Sequence, residues 1–249
     1  MGIIIIIPEN DMTCDQDAGA QTEKAAAFLR LLQLADSALP IGALAHSFGL
    51  ETLVAQELLA LEDLPAFLQS YFEEAGVMQA VFCRAGFQAA AGFSAERWAE
   101  LNQQLSALKP GRESRAGEAA LGRRLLISVL TLGQFPLLQE ALEAAQQVGS
   151  AIHHSPAFGL VSAVLAFEEE HVVLAFLHQL AANLVSGFQR LLPVGQNQAM
   201  RLAWDLKPAM AEATERSRTT TPEQVPCFMP LLDYGAMEHP ALFTRLFIS

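Results

Sequence analysis

Apolar residues recur at helical spacing through most of this chain, and this periodicity limits the possible fold more than any other feature. The clearest stripe runs from Val173 to Leu191, with apolar side chains three or four positions apart. Another follows Asp63, where a helix-capping residue and a proline precede apolar positions from Leu68 to Phe82. No stretch alternates apolar and polar residues as a half-buried strand would. The sequence therefore predicts an all-α protein.

Short turn signals divide the helical pattern into segments. Ser94 caps one predicted helix, the Lys-Pro-Gly sequence at 109–111 ends it, and Gly133 and Pro136 end the next. Because such connections are short, consecutive helices are expected to pack antiparallel. We predict a single-domain bundle of roughly ten helices over residues 23–218.

The two ends of the chain differ from this helical region. Residues 1–22 begin with an isoleucine run, then become polar without apolar periodicity, so we predict a flexible, disordered leader and not a signal peptide. After Arg218 the chain becomes rich in Thr and Pro and then strongly apolar. We predict that residues 219–249 form a linker and a hydrophobic C-terminal docking segment. This segment could pack back on the bundle or dock on another protein, and both alternatives stay open.

Charge and composition exclude several classes of partner. The net charge of −12 repels the phosphates of nucleic acids and anionic lipids. Hydrophobic residues make up 52% of the chain, which favours additional protein interfaces. The apolar stretch 158–188 is interrupted by three consecutive glutamates, so we predict no membrane span. Three scattered cysteines without CxxC spacing favour the reducing cytoplasm.

Glu168 and His171 form the best candidate for a metal-binding pair. Glu-x-x-His places both side chains on one helical face, but di-metal helical bundles need two such pairs. None of the other five histidines has a glutamate three positions before it. A helical metalloenzyme is therefore an alternative, behind a solvated helix end. Lysines followed by Ser or Thr and the Gly-x-Ser-x-Gly motif are absent from the sequence, so we predict no catalytic residue.

Three motifs, in this order, resemble those of the UreF family of urease accessory proteins. The first is LRLLQLADSALPIGALAHSFGLE at residues 29–51, which contains a Pro-x-Gly turn. The second is LVSGFQRLLPVGQNQAMR at residues 184–201, and the third is MEHPALFTRLFIS at residues 237–249. The resemblance extends over nearly all of residues 28–249 and leaves the leader without a counterpart.

This resemblance implies a non-catalytic assembly factor that forms a homodimer. It implies binding to UreD (also called UreH) and to the GTPase UreG on apo-urease, with nickel insertion as the outcome. No tightly bound cofactor is expected, and nickel would be cargo in transit. An unrelated helical scaffold protein is the second alternative to this reading.

The expected functional residues lie mostly in the three motifs. The candidates for partner binding are His46, Ser47, Glu51, Arg190, Gln196, Arg245, Leu246 and Phe247. The residues expected to shape the turns are Pro40, Gly42, Gly49 and Gly195. Imidazole is a good ligand for nickel, so the candidates for contact with that cargo are His46, His153, His154 and His239.

Overall fold

Twelve α-helices and no strands make up the part of the chain that the structure, a computed structural model, describes. The backbone is described for residues 12–225 and 228–249, and the side chains from residue 21 onward with the same gap. The helices are α1 (Met12–Leu34), α2 (Leu50–Ala55), α3 (Leu64–Tyr71), α4 (Val77–Gln88), α5 (Ala95–Ala107), α6 (Arg112–Leu130), α7 (Pro136–Gln147), α8 (His154–Val164), α9 (Glu169–Leu191), α10 (Gln196–Asp205), α11 (Lys207–Arg216) and α12 (Pro230–Glu238). The all-helical prediction is confirmed.

Helices α3 and α4 form one continuous helical rod, joined by a π-helical turn at Phe72–Gly76. The apolar stripe predicted after Asp63 faces the core, with Leu68, Phe72 and Phe82 fully buried. Asp63 occupies the predicted N-cap position of α3, but its side chain makes no capping hydrogen bond to that helix. Its carboxylate accepts a hydrogen bond from Ala60 N at 3.0 Å, because the residues before α3 form a 3₁₀ turn of their own.

Helices α4 and α8 cross so closely at the centre of the core that only glycine fits at the contact. A Cβ atom on Gly86 would lie 2.2 Å from the carbonyl oxygen of Pro156, and one on Gly159 would lie 1.9 Å from that of Cys83. Gly122 of α6 makes a similar approach to the backbone that precedes α8. The backbones therefore pack directly against each other, without intervening side chains.

Helix α9 carries the strongest apolar stripe and lies inside the bundle. It is the one helix among the described residues that is long and apolar enough to cross a membrane by composition alone. However, 56% of its most apolar window is buried within the fold. Val173, Leu177 and Phe188 of the predicted stripe are fully buried. This burial is typical of a core helix of a globular protein.

The N-terminal region differs from the predicted leader. Helix α1 begins at Met12, so residues 12–22 are helical. The alanines and glutamines in this stretch have high helix propensity, and a helix that is already nucleated extends at little cost. The part of the leader that precedes residue 12, including the isoleucine run, lies outside the described residues.

The C-terminal region packs back on the bundle, which was one of the two alternatives. Helix α12 lies against α2 and α6. Met229, Ala236, His239 and Phe247 are buried there. The apolar side chains of this region are thus divided between a buried set and an exposed set, and the exposed set lies on Phe228, on α12 and on the final residues.

A candidate docking site at the C-terminal tail

The last eleven residues, 239–249, which we call the tail, lie across the turn that leads into α2. The backbone N–H of Ile248 donates to the carbonyl oxygen of Ala45 at 2.8 Å, and that of Phe48 donates to the carbonyl oxygen of Ser249 at 3.0 Å. Ser47 N also donates to Ser249 O. The tail is therefore paired through its backbone with a segment about two hundred positions earlier in the sequence.

Glu51, in the first turn of α2, is the central anchor of the tail. Its side chain is only 7% exposed. Its carboxylate accepts hydrogen bonds from Phe247 N at 3.1 Å, from His239 Nε2 at 3.0 Å and from Leu246 N. Three donors compensate the loss of water around this buried charge.

His239 links Glu51 to a second carboxylate. Its Nδ1 lies 2.8 Å from Glu113 Oε2 of α6, and Arg245 of the tail reaches the other oxygen of Glu113 at 3.3 Å. Burial opposes ionisation of Glu113, but the hydrogen bond and charge of His239, together with the Arg245 guanidinium, hold the pKa of this carboxyl below its usual range. The cluster thus joins α2, α6 and the tail through charge.

The tail has an inner and an outer side. Phe247 points inward and is 4% exposed, and the guanidinium carbon of Arg190 from α9 lies 4.1 Å from the centre of its ring. Phe243, Leu246 and Ile248 point into solvent, and Phe243 is fully exposed. We call these three residues the outer face of the tail.

His46 completes the contact between the tail and the turn. Its Nδ1 lies 2.7 Å from Ser249 Oγ. Burial and the nearby Arg124 guanidinium lower the pKa of His46, while Glu118 opposes this shift. The neutral imidazole is therefore favoured beside the tail.

Two of the predicted turn glycines have conformations that favour glycine. Gly42 has φ 84° and Gly49 has φ 101°. A Cβ atom on Gly49 would also lie 2.7 Å from the backbone nitrogen of Ala236, so this glycine lets α12 approach α2. Gly195 has an ordinary negative φ and open space around it, so nothing in its surroundings requires glycine.

Seven of the eight predicted partner-binding residues meet in this one site. They are His46, Ser47, Glu51, Arg190, Arg245, Leu246 and Phe247. Gln196 stands apart on the surface, where its side-chain oxygen accepts from Gln189 at 3.4 Å. Ser47, Glu51 and Phe247 are buried and hold the tail in place, whereas Arg245 and Leu246 face solvent.

The predicted site residues did not include Glu113, Phe243 and Ile248, although Phe243 belongs to the apolar part of the predicted docking segment. Glu113 sits in an ordinary polar helical stretch, and no local signal distinguishes it. Phe243 and Ile248 belong to the third motif, and exposure alternates from residue 246 to residue 249 in the tail. That alternation was a usable signal for an inner and an outer side.

A cavity of about 80 Å³ lies beside the turn that leads into α2, between α4, α6, α9 and α12, and several polar side chains interrupt its mostly apolar lining. Among its lining residues, the buried polar atoms without a hydrogen-bond partner are His46 Nε2, Ser47 Oγ, Gln79 Oε1, Glu118 Oε2, His154 Nε2 and Asn183 Oδ1. Burial lowers the pKa of His154 to about 4, with Glu118 opposing the shift. Burial opposes ionisation of Glu118 as well, but Lys109 and His153 hold its pKa far below the usual range. Such a cavity suits bound water molecules.

The Glu168–His171 pair lies on the surface. The two side chains form an exposed ion pair with Nδ1 and Oε2 2.5 Å apart, at the start of α9. No group of three or more His, Cys, Asp or Glu side chains within the described residues is placed to hold a metal ion. The pair therefore has the solvated position that the sequence favoured over the metal-site alternative.

A serine, a histidine and a glutamate also come together, but their geometry is unsuited to nucleophilic catalysis. Ser106 Oγ lies 2.7 Å from His153 Nε2, whereas His153 Nδ1 is 3.6 Å from Glu118 Oε2, beyond hydrogen-bond distance. The imidazole of His153 is fully buried. We interpret this group as a structural link between α5, α6 and the start of α8.

Fold and site together define an all-helical protein whose C-terminal tail is held by buried hydrogen bonds to Glu51 and presents an apolar outer face. The UreF family model matches residues 59–207 of the chain. The chain is 32% identical over 224 residues to urease accessory protein UreF of Nostoc sp. (strain PCC 7120), covering 89% of this chain and 96% of that relative. It is 29% identical over 221 residues to the protein of the same name from Actinobacillus pleuropneumoniae serotype 5b, covering 88% and 97%. The chain belongs to the UreF family of urease accessory proteins.

Proposed function

We propose that this chain is a non-catalytic assembly factor of urease that acts in the cytoplasm. It joins UreD (UreH) and the GTPase UreG on apo-urease so that nickel can be inserted. The family membership supports a role in urease maturation, since the relatives are named urease accessory proteins. The single structural observation that carries the proposal is the outer face of the tail.

The outer face has the properties of a docking surface for UreD. Phe243, Leu246 and Ile248 expose apolar side chains within six residues, beside the exposed Arg245. Aromatic residues and arginine are enriched among residues that dominate binding energy. Because the inner side of the tail is anchored by Glu51, this surface is preorganised, which reduces the entropy cost of binding.

A bridging protein needs further surfaces, and two other apolar patches are available. Helix α10 exposes Met200 and Trp204, one turn apart on the same side. Helix α1 exposes Phe28, Leu29 and Leu32. We propose that UreG and a second copy of this chain use these helices, which would leave the outer face for UreD.

Nickel is cargo in this proposal and is not held tightly by the chain. Among the candidate histidines, His46, His153 and His239 already contact protein groups through at least one ring nitrogen. His154 is buried in aromatic contacts with Phe158 and Phe176. A calorimetric titration of the isolated chain with nickel should show no stoichiometric binding at micromolar concentration. A one-to-one micromolar isotherm would contradict this part of the proposal.

The sharpest test of UreD docking replaces the outer face while keeping the inner anchors. The triple variant Phe243→Ser, Leu246→Ser, Ile248→Ser should bind purified UreD at least about tenfold more weakly, because apolar contact area is lost. The double variant Met200→Ser, Trp204→Ser is the matched control, since it removes exposed apolar area elsewhere. The control should bind UreD as the unchanged protein does.

Two outcomes decide this test. Unchanged UreD affinity in the triple variant, with the helical circular dichroism and melting temperature preserved, would refute docking on the outer face. Truncation after Glu238 should also abolish capture of UreD. That truncation additionally uncovers the buried Glu51, so the triple variant is the cleaner experiment.

A further inference from the structure

The position of His239 demands a particular protonation state. The imidazole is 1% exposed, with Nε2 3.0 Å from Glu51 Oε2 and Nδ1 2.8 Å from Glu113 Oε2. A neutral imidazole carries one N–H and one lone pair. In the neutral state one ring nitrogen would therefore direct its lone pair at a carboxylate oxygen. Only the imidazolium donates to both carboxylates at once.

The protonated ring also balances the charge of the cluster. Glu51 from α2 and Glu113 from α6 contribute two negative charges, and Arg245 contributes one positive charge through Glu113. These are the charged side chains that contact His239 or its partners in the part of the chain that the structure describes. With His239 protonated the cluster is neutral, and with His239 neutral it carries an uncompensated buried negative charge.

We propose that His239 is a pH-sensitive latch, whose protonated ring holds the tail on the bundle and whose deprotonation releases the tail. The direction follows from proton binding. The docked tail needs the imidazolium, whereas a released tail leaves His239 in water, so docking takes up a proton and weakens as the pH rises. Burial opposes ionisation of Glu113, but its contacts with His239 and Arg245 hold the pKa of this carboxyl below its usual range, so Glu113 stays charged as the pH rises.

The latch regulates the tail whose outer face carries the proposed function, and in that respect it rests on that function. Its test nevertheless needs only the full chain by itself. The amides of Leu246 and Phe247 donate to Glu51 in the docked tail, so their protection against hydrogen exchange reports docking. Amides of α8 in the core provide an internal reference.

After correction for intrinsic exchange, protection of the two tail amides should fall at least about tenfold between about pH 6 and about pH 9, since a one-proton difference shifts the equilibrium up to tenfold per pH unit. Protection in α8 should stay constant. His171→Gln is the matched control, because His171 is exposed and pairs with a single carboxylate. This variant should keep the pH dependence of the unchanged protein.

The variant Glu113→Gln distinguishes the latch from a purely structural histidine. The glutamine amide can donate to Nδ1 of a neutral ring while Nε2–H still donates to Glu51, so the tail should stay protected across the whole pH range. Two results would overturn the latch: tail protection independent of pH in the unchanged protein, or the same decrease in Glu113→Gln. Neither result affects the UreD binding test, which is carried out at one pH.

Discussion

The contact between α4 and α8 and the contact between the tail and α2 hold the same molecule together by opposite means. At the first, Gly86 and Gly159 let two backbones touch, and the surroundings are apolar. At the second, Glu51 and His239 hold the tail through buried charges and backbone donors. Shape complementarity resists any added atom but is indifferent to pH, whereas a charged clamp depends on protonation. The contact between the tail and α2 can therefore respond to a change of pH, whereas the contact between α4 and α8 cannot.

The largest effect is expected at the helix crossing. Gly159→Ala places a Cβ atom 1.9 Å from Cys83 O, a backbone atom that cannot move aside alone. The free energy of unfolding should fall by more than about 3 kcal/mol, at the upper end for overpacking. Urea denaturation measures this loss. Gly92→Ala is the control, since nothing lies within 4 Å of its added Cβ. An equal loss of stability in both variants would show that the close approach of α4 and α8 is not the cause.

At the clamp, Glu51→Ala should release the tail and leave the core folded. Removing one partner of a buried ionic pair leaves the other groups buried without a partner, which destabilises the contact by about 3 kcal/mol. Here the groups that lose their partner are His239 and the backbone amides of the tail. Hydrogen exchange should show lost protection over residues 242–249 and retained protection in α8. Loss of protection in both regions at once would show that the two contacts are not independent.

His154 is expected to be an exception to a pH-indifferent core. Burial lowers the pKa of His154 from the ordinary histidine value of 6.5 to about 4, so the unfolded chain binds a proton more readily than the folded one. Its contribution to stability is therefore complete above about pH 6.5 and decreases below it, by about 2 kcal/mol at about pH 5. His154→Phe keeps the aromatic contacts and should flatten this part of the stability profile, measured by urea denaturation. An unaltered slope would assign the acid sensitivity to other groups.

The smallest expected effect concerns Arg190. The variant Arg190→Gln removes the cation above the Phe247 ring and should weaken tail docking by about 0.5 to 1 kcal/mol. Exchange of the Phe247 amide should accelerate slightly while the tail remains docked. Release of the tail as complete as in Glu51→Ala would mean that the aromatic contact, and not the charge cluster, dominates the clamp.

Much of the fold could be predicted from apolar periodicity. The stripes after Asp63 and after Val173 became buried helix faces because helical spacing alone decides which side chains share a face. Ser94 caps α5 as predicted, since its Oγ accepts from Arg97 N. The helical state of residues 12–22 was not predictable from apolar spacing, because that stretch is polar and forms the N-terminal half of α1, whose apolar residues lie after it.

The motifs predicted where the site lies in the sequence, but they did not predict which of its residues are buried beneath the tail. Glu51 was expected to contact a partner, whereas it is buried against the tail of its own chain, an uncommon position for a glutamate. Its partners Leu246 and Phe247 lie 195 and 196 positions away. Contacts at such separation leave no local pattern in a single sequence, and the same reason explains why Glu113 was missed.

The alternation along the final residues sets the spacing of the tail. Phe247 and Ser249 are buried, while Leu246 and Ile248 are exposed. Removing a single residue between positions 240 and 245 would shift this register by one, since side chains of an extended segment alternate with period two. Ile248 or Leu246 would then take the place of the ring beneath Arg190, and a phenylalanine would be turned into solvent. The number of residues between positions 240 and 245 therefore matters as much for docking of the tail as the identity of its side chains.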